Sequence, residues 1–359
     1  MKRRNFIAAA GAATLISACS KPQDCSQAQS TSGESKTQFN WSMVTTWPPG
    51  FQGLGTGAEY LADLIGKLSN GRIKVKVYGA NELVPALQVF DTVSSGSVEM
   101  GHGAAYYWKG KLPAASFFSS VPFGLSAEEM NGWLLKGGGL ELWQQLYAPF
   151  DLIPMPGGNT GAQMAGWFNK EINSLDDLKG LKMRIPGLGG EVLKRAGGNP
   201  ELIAGGEIFS ALEMGRIDAA EFVGPYNDLA FGFYKAARYY YYPGWQEPGT
   251  TLETLINRQA FESLTPELQE IVKAACLQAN ADMLAEFTAK NSEALKVLVD
   301  RHGVILKRLP DEVLDRLREI SEDLVAEQGQ GDALSKKIFE SYKDYKNRSS
   351  QWKAITQSL

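Results

Sequence analysis

The sequence predicts an α/β protein built as two lobes, with long helices following them. Three observations carry this. Beyond an N-terminal leader, about 320 residues remain, more than one ordinary core accommodates. Strand-like and helix-like segments alternate between residues 41 and 101. A short loop pattern then recurs in the second half. Gly96-Ser97-Val98-Glu99-Met100 and Gly215-Arg216-Ile217-Asp218-Ala219 both read as glycine, polar residue, branched apolar residue, acid, strand.

Trp41 to Thr46 is a short apolar strand ended by Trp47-Pro48-Pro49-Gly50. Gly57 to Leu68 has helical spacing at Ala58, Leu61, Ala62, Ile65 and Leu68. Ile73 to Tyr78 alternates strictly and reads as a strand. Pro85 opens a helix that Gly96 closes, and Val98 to Gly101 is the next strand. This order predicts a βαβ run and a parallel sheet. Met164 to Phe168 is a further strand, with the glycine-rich Pro156 to Gln163 before it as a loop. Tyr239 to Glu247 is aromatic-rich and hinge-like. From Leu264 the chain is helical: Thr265-Pro266-Glu267 is a strong start signal, Pro310 begins a second helix, and Lys336 to Trp352 a polar last one.

The N-terminus reads as an address. Lys2, Arg3 and Arg4 precede the short apolar stretch Phe6 to Ala18, and Arg3-Arg4-Asn5-Phe6-Ile7 has a twin-arginine character. Ile16-Ser17-Ala18-Cys19 resembles a lipobox, which predicts lipidation at Cys19. Residues 1–19 are thus the signal. Residues 20–38, polar and without apolar period, form a flexible tether. A net charge of −4 argues against nucleic acid, which selects a basic face. The three cysteines show no metal-ligand spacing, and Cys276 reads as a core residue.

The sequence offers no nucleophile–base set. Its two histidines, His102 and His302, are far apart. There is no zinc helix, nucleophile elbow or phosphate loop. Glu128-Glu129 and Asp176-Asp177 read as acids at helix starts, not as a catalytic dyad. A periplasmic hydrolase using paired carboxylates is the different-class alternative. The chemistry-bearing segments are instead loops at predicted strand ends, where open α/β folds build ligand sites. They are Tyr106-Tyr107-Trp108, Pro156 to Gln163, Gly180 to Arg184, Glu221 to Tyr226 and Tyr239 to Glu247.

Together these segments resemble the solute receptors of tripartite ATP-independent periplasmic (TRAP) transporters, the DctP family. General features are Glu82-Leu83-Val84-Pro85, Ser95 to Met100 and Leu181-Lys182-Met183-Arg184. Pro156 to Met164, Glu221 to Tyr226 and Tyr239 to Trp245 are similar to members that bind 2-oxo acids or lactate with a cation. The resemblance implies a type II-like periplasmic binding protein with an interlobe cleft and long C-terminal helices, and not an enzyme. Lobe I would comprise 39–162 plus about 250–300 and lobe II 163–249, with 301–359 as helices packing on both. It implies small and large permease subunits as partners, and the C-terminal helices are the candidate homodimer contact. By the same resemblance Arg184 would take the substrate carboxylate and Tyr107 would reach it from the first lobe. Gln163 would contact substrate and cation. Glu221, Glu247 and the main-chain carbonyl of Phe222 would complete the cation site, for Na⁺ or Ca²⁺. Phe222 and Gln246 each stand where those members carry Trp, which bears on the acyl-chain pocket.

The residue chemistry agrees. Arg presents a planar, permanently charged fork to a carboxylate, and hard cations take oxygen ligands. A dicarboxylate or other acid bound without metal is the alternative within the family.

Overall fold

The computed structural model describes residues 38–356. The signal and tether, with Cys19 and Cys25, lie outside the described residues, apart from Gln38. The strands are β1 (Phe39–Thr45), β2 (Ile73–Tyr78), β3 (Met100–Gly103), β4 (Leu152–Asn159), β5 (Gly166–Phe168), β6 (Lys182–Arg184), β7 (Asn199–Glu201), β8 (Ala219–Ala220), β9 (Tyr239–Tyr242), β10 (Thr251–Asn257) and β11 (Ile305–Arg308). They form two sheets, ordered β2-β1-β3-β10-β4 and β11-β9-β5-β8-β6-β7.

The predicted βαβ run forms as expected, with β1 parallel to both β2 and β3. The sheet is mixed, however, because β10 enters antiparallel between β3 and β4. The third strand lies two residues later than its pattern suggested, at Met100–Gly103. The expected loop at Pro156 is in its first part a strand, since β4 runs through Pro156 to Asn159. Proline is tolerated there because β4 is an edge strand. Its glycines are required by close packing: a Cβ on Gly157 would meet Thr254 Oγ1 at 2.0 Å, and one on Gly158 would meet Met283 Sδ at 2.5 Å. The Tyr239–Tyr242 half of the hinge-like segment is likewise a strand. The half-exposed β11 carried no sequence signal strong enough to find it.

The loop echo is physical. Gly96 (φ 74°) and Gly215 (φ 68°) are both left-handed, a conformation glycine takes at little cost. The acid three residues later performs one task in both sheets. Glu99 accepts the main-chain N–H of Ser42 on β1 (2.7 Å), and Asp218 accepts that of Lys182 on β6 (3.0 Å).

The chain passes from the first sheet to the second between β4 and β5, and back between β9 and β10. It returns along the helix Pro266–His302, whose 37 residues extend about 55 Å. Thr265 caps that helix, and Leu268, Val272, Ala275, Cys276, Ala279 and Met283 bury one face. Burial pushes the Cys276 thiol up to about 12, as befits an inert core residue. Helix Asp311–Gln328 packs on Gly187–Arg195, and helix Ala333–Thr356 on Ala127–Lys136 and Gly139–Tyr147. Under that last helix, Phe118 is stacked between Trp133 (5.4 Å) and Trp143 (5.3 Å). Both acid pairs sit at helix starts, Glu129 and Asp177 each closing a capping box.

Candidate functional site

The strand ends deliver the candidate residues to one buried network. Arg184 is the last residue of β6, and Glu221 and Phe222 directly follow the neighbouring β8. Tyr106 and Tyr107 lie on the 3-10 turn after β3, and Gln246 and Glu247 on the loop between β9 and β10. Gln163 lies between β4 and β5. All candidates other than Tyr107 are buried, and Tyr107 is half-buried.

Arg184 and Glu221 pair directly, Nη1 to Oε1, at 2.5 Å, with side chains 1% and 0% exposed. The guanidinium is held from three further sides. Nε donates to the Ile203 carbonyl (3.1 Å), Nη1 to the Glu221 carbonyl (2.7 Å), and Nη2 reaches the Tyr107 hydroxyl at 3.4 Å. The Phe222 ring lies 5.5 Å from the guanidinium carbon, within cation–π range. That ring belongs to a wall shared with Phe51, Phe231 and Phe233.

The second acid is close by. Glu247 Oε2 accepts from the Thr250 hydroxyl (2.6 Å) and, at 3.4 Å, from the Tyr106 hydroxyl. Gln163 Nε2 donates to Thr250 Oγ1 and Thr160 Oγ1, both at 3.1 Å. Gln246 Nε2 donates to the Met164 carbonyl (2.9 Å) and lies 3.4 Å from Glu221 Oε2. The six residues named from sequence are thus brought together. Sequence reasoning missed Tyr106, Thr160 and Thr250 as network members, and it flagged Gln246 only as a departure. The signal for Thr250 was its place three residues after Glu247.

The electrostatics are unbalanced. Burial and the neighbouring Glu247 push Glu221 well above the usual carboxylate range, against the pull of Arg184. Burial pushes Glu247 up to about 7, with Thr250, Arg184 and Tyr106 opposing. Two buried acids share one guanidinium, so the pair resists carrying both charges. In addition, Gln163 Oε1 and Gln246 Oε1 are buried without a hydrogen-bond partner. The donor set is therefore rich in oxygen acceptors and short of positive charge, which fits a hard cation. Among the described residues no three His, Cys, Asp or Glu side chains converge, so amide or main-chain oxygens must complete such a site.

His102 takes no part. Trp47 Nε1 donates to its Nδ1 (2.8 Å), Nε2 faces the Gly157 carbonyl (3.1 Å), and burial lowers it to about 4. It is a neutral core residue. His302 stacks on Tyr234, 3.9 Å away.

The chain is similar to known proteins over most of its length. The family described as bacterial extracellular solute-binding protein, family 7 (DctP) matches residues 43–332. A "Monocarboxylate 2-oxoacid-binding periplasmic protein" of Nostoc sp. is 46% identical over 99% of this chain and 97% of its own. A TRAP periplasmic solute-binding protein of Pseudoalteromonas atlantica, solved with sodium and pyruvate, superposes with TM-score 0.87 at 42% identity. It covers 89% of this chain and 98% of that one. One from Colwellia psychrerythraea, solved with calcium and pyruvate, gives TM-score 0.87 at 41% identity over the same shares. No helix among the described residues is long and apolar enough to cross a membrane. The two-sheet α/β architecture is that of a two-lobed periplasmic binding protein, and the chain belongs to the DctP family, the extracytoplasmic solute receptors of TRAP transporters rather than enzymes.

Proposed function

We propose that this receptor captures a small 2-oxo monocarboxylate such as pyruvate, or a 2-hydroxy acid such as lactate, together with Na⁺ or Ca²⁺. The observation that carries the reading is the acceptor surplus. Glu221 pairs with Arg184, Glu247 acts on it electrostatically, and two unpartnered amide oxygens belong to the same network, which holds no second cationic side chain among the described residues. A substrate carboxylate added to this set without a cation would meet mostly acceptors. Arg184 grips the substrate carboxylate, Tyr107 reaches it from the turn after β3, and Gln163 contacts both substrate and cation. Glu221, Glu247 and the Phe222 carbonyl complete the cation site. A bound cation would bridge the carboxylate and the adjacent oxygen of the acid. The cation and acid of the Pseudoalteromonas and Colwellia proteins support the same reading.

The test is titration calorimetry with pyruvate and lactate in chelator-treated buffer with choline as the only cation, then with Na⁺ or Ca²⁺ restored. Full-strength binding in choline would reject the cation and favour a metal-independent acid receptor.

The finer assignments belong to the same proposal. The lobes divide near residues 162 and 249. A small and a large permease subunit receive the loaded receptor. The C-terminal helices, where Trp352 is exposed, are the contact for a second copy, which light scattering of the mature chain would test. Lipidation of Cys19 anchors the receptor, and Cys19→Ala should release it from the membrane fraction.

A further inference from the structure

A guanidinium has five N–H donors, and a carboxylate is held best by two parallel bonds from neighbouring nitrogens. In Arg184 most of these donors are already engaged by the protein. Nε is engaged by the Ile203 carbonyl, and Nη1 binds both the carbonyl (2.7 Å) and the side-chain Oε1 (2.5 Å) of Glu221. Only Nη2, near Tyr107, has capacity left for a ligand. The residue meant to receive a carboxylate is therefore occupied by an acid side chain that the chain itself supplies.

The two contacts from Glu221 differ in what they can do. Its main chain is fixed, because its N–H donates to the Arg184 carbonyl (3.1 Å) and β6 pairs with β8 immediately before it. Its carboxylate is held only by Arg184 and by the 3.4 Å contact with Gln246. Rotation of the side chain would withdraw Oε1 and return Nη1 to service, with the backbone unmoved.

We propose that Glu221 gates the anion site: its carboxylate stands in for the substrate carboxylate on Arg184 until a cation draws it away. This rests on the cation-bridged reading above and adds an order to it. Cation and guanidinium compete for one carboxylate, while substrate and that carboxylate compete for one guanidinium. The cation therefore acts first, and the acid enters a fork completed by the cation's arrival. The empty site stays internally neutralised and rejects anions that come without a cation. Glu221 thus does more than ligate, since it makes capture conditional.

The inference separates from simple ligation in the variant Glu221→Gln. If Glu221 only ligates the cation, the amide weakens cation and acid binding together, as linkage requires. If it also guards Arg184, the neutral amide, which still accepts a hydrogen bond but carries no charge, competes far less for the guanidinium. Pyruvate binding should then depend less on the cation, although Glu247 and Gln163 still favour it. The experiment is calorimetric titration of pyruvate into wild type and E221Q, in choline and in Na⁺. Wild type should lose affinity about a hundredfold or more in choline, as expected when a buried charge lacks its partner. E221Q should lose less affinity than wild type on moving from Na⁺ to choline, and should bind more tightly than wild type in choline. E221Q binding in choline no better than wild type overturns the gate, while the wild-type cation dependence leaves the reading of the site intact. Wild-type binding that ignores the cation overturns both. Should E221Q fail to fold, stopped-flow tryptophan fluorescence on wild type decides. A gate makes the association rate of pyruvate climb with Na⁺ to a plateau. A flat association rate, with only dissociation slowed by Na⁺, overturns it.

Discussion

The Tyr107 hydroxyl lies 3.4 Å from Nη2 of Arg184, and the two residues are carried by strands of different sheets. Tyr107 rides on the turn after β3 and Arg184 ends β6. The pair therefore spans the two halves of the fold at the point where an acid would be held. Arg184→Ala should cost substrate binding on the order of 3–5 kcal/mol, the range for breaking a buried charge pair. Arg184→Lys should also bind poorly, because a point charge does not reproduce the fork. Tyr107→Phe should cost only about 1 kcal/mol, the worth of one ordinary hydrogen bond. Calorimetry orders the three, and wild-type affinity in the Lys variant would remove Arg184 as the two-pronged anchor.

A contact across two sheets also predicts closure. Contacts from both sides are complete only when the halves meet around the ligand. Trp47, Trp108 and Trp245 are buried near this junction, with Trp47 packed 6.3 Å from the Tyr107 ring. Intrinsic fluorescence should change on adding pyruvate with Na⁺, and X-ray scattering should show compaction. An identical scattering profile at saturating ligand would argue against a clamp.

Much of this was legible because local patterns and final environment agree. Ile73 to Tyr78 alternates and becomes β2 with those bounds, and Thr265-Pro266 starts a helix that forms as written. The candidate residues that the fold brings together were picked out through whole motifs rather than through chemistry alone. Arg184 at a strand end has an ordinary reading, as the partner of an acid, and it does pair with one, Glu221. That the acid would be fully buried, with Glu247 close enough to act on it, required tertiary contacts between residues far apart in sequence. The Pro156–Asn159 strand was hidden for a related reason. Its proline and glycines signal a loop locally, and it is the close approach of Thr254 and Met283 that makes the glycines necessary for a strand.

That packing gives a stability prediction. Gly157→Ala should destabilise by about 1–3 kcal/mol, the usual cost of overpacking a close contact. The clash is with Thr254 Oγ1. Thr254→Ala should therefore recover part of the loss when combined with Gly157→Ala. Urea unfolding of both single variants and the double variant measures this coupling. Strictly additive effects would show that the contact is not what excludes a side chain at 157.

The last prediction concerns Glu253, on β10 and fully buried. Its carboxyl accepts from Trp108 Nε1 and from the Tyr147 hydroxyl (3.0 Å). Burial pushes it up to about 8, against the pull of those two hydrogen bonds. In the unfolded chain a glutamate titrates near 4.3. Between about pH 4.3 and 8 the folded protein keeps a proton that the unfolded chain has released. The unfolded state thus binds fewer protons, and stability falls as pH rises through this window, by up to about 1.4 kcal/mol per pH unit, levelling off above it. Asp228 and Glu247, each raised to about 7 chiefly by burial, act in the same direction over the lower part. Glu253→Gln removes the Glu253 share alone. Its amide oxygen can still accept from Trp108, and its amide N–H can donate to Tyr147. The ligand-free wild type should show a thermal midpoint that drops between pH 5 and 8. E253Q should drop less and lie above wild type at pH 8. Parallel curves for the two proteins would mean that Glu253 does not hold a proton in the folded state.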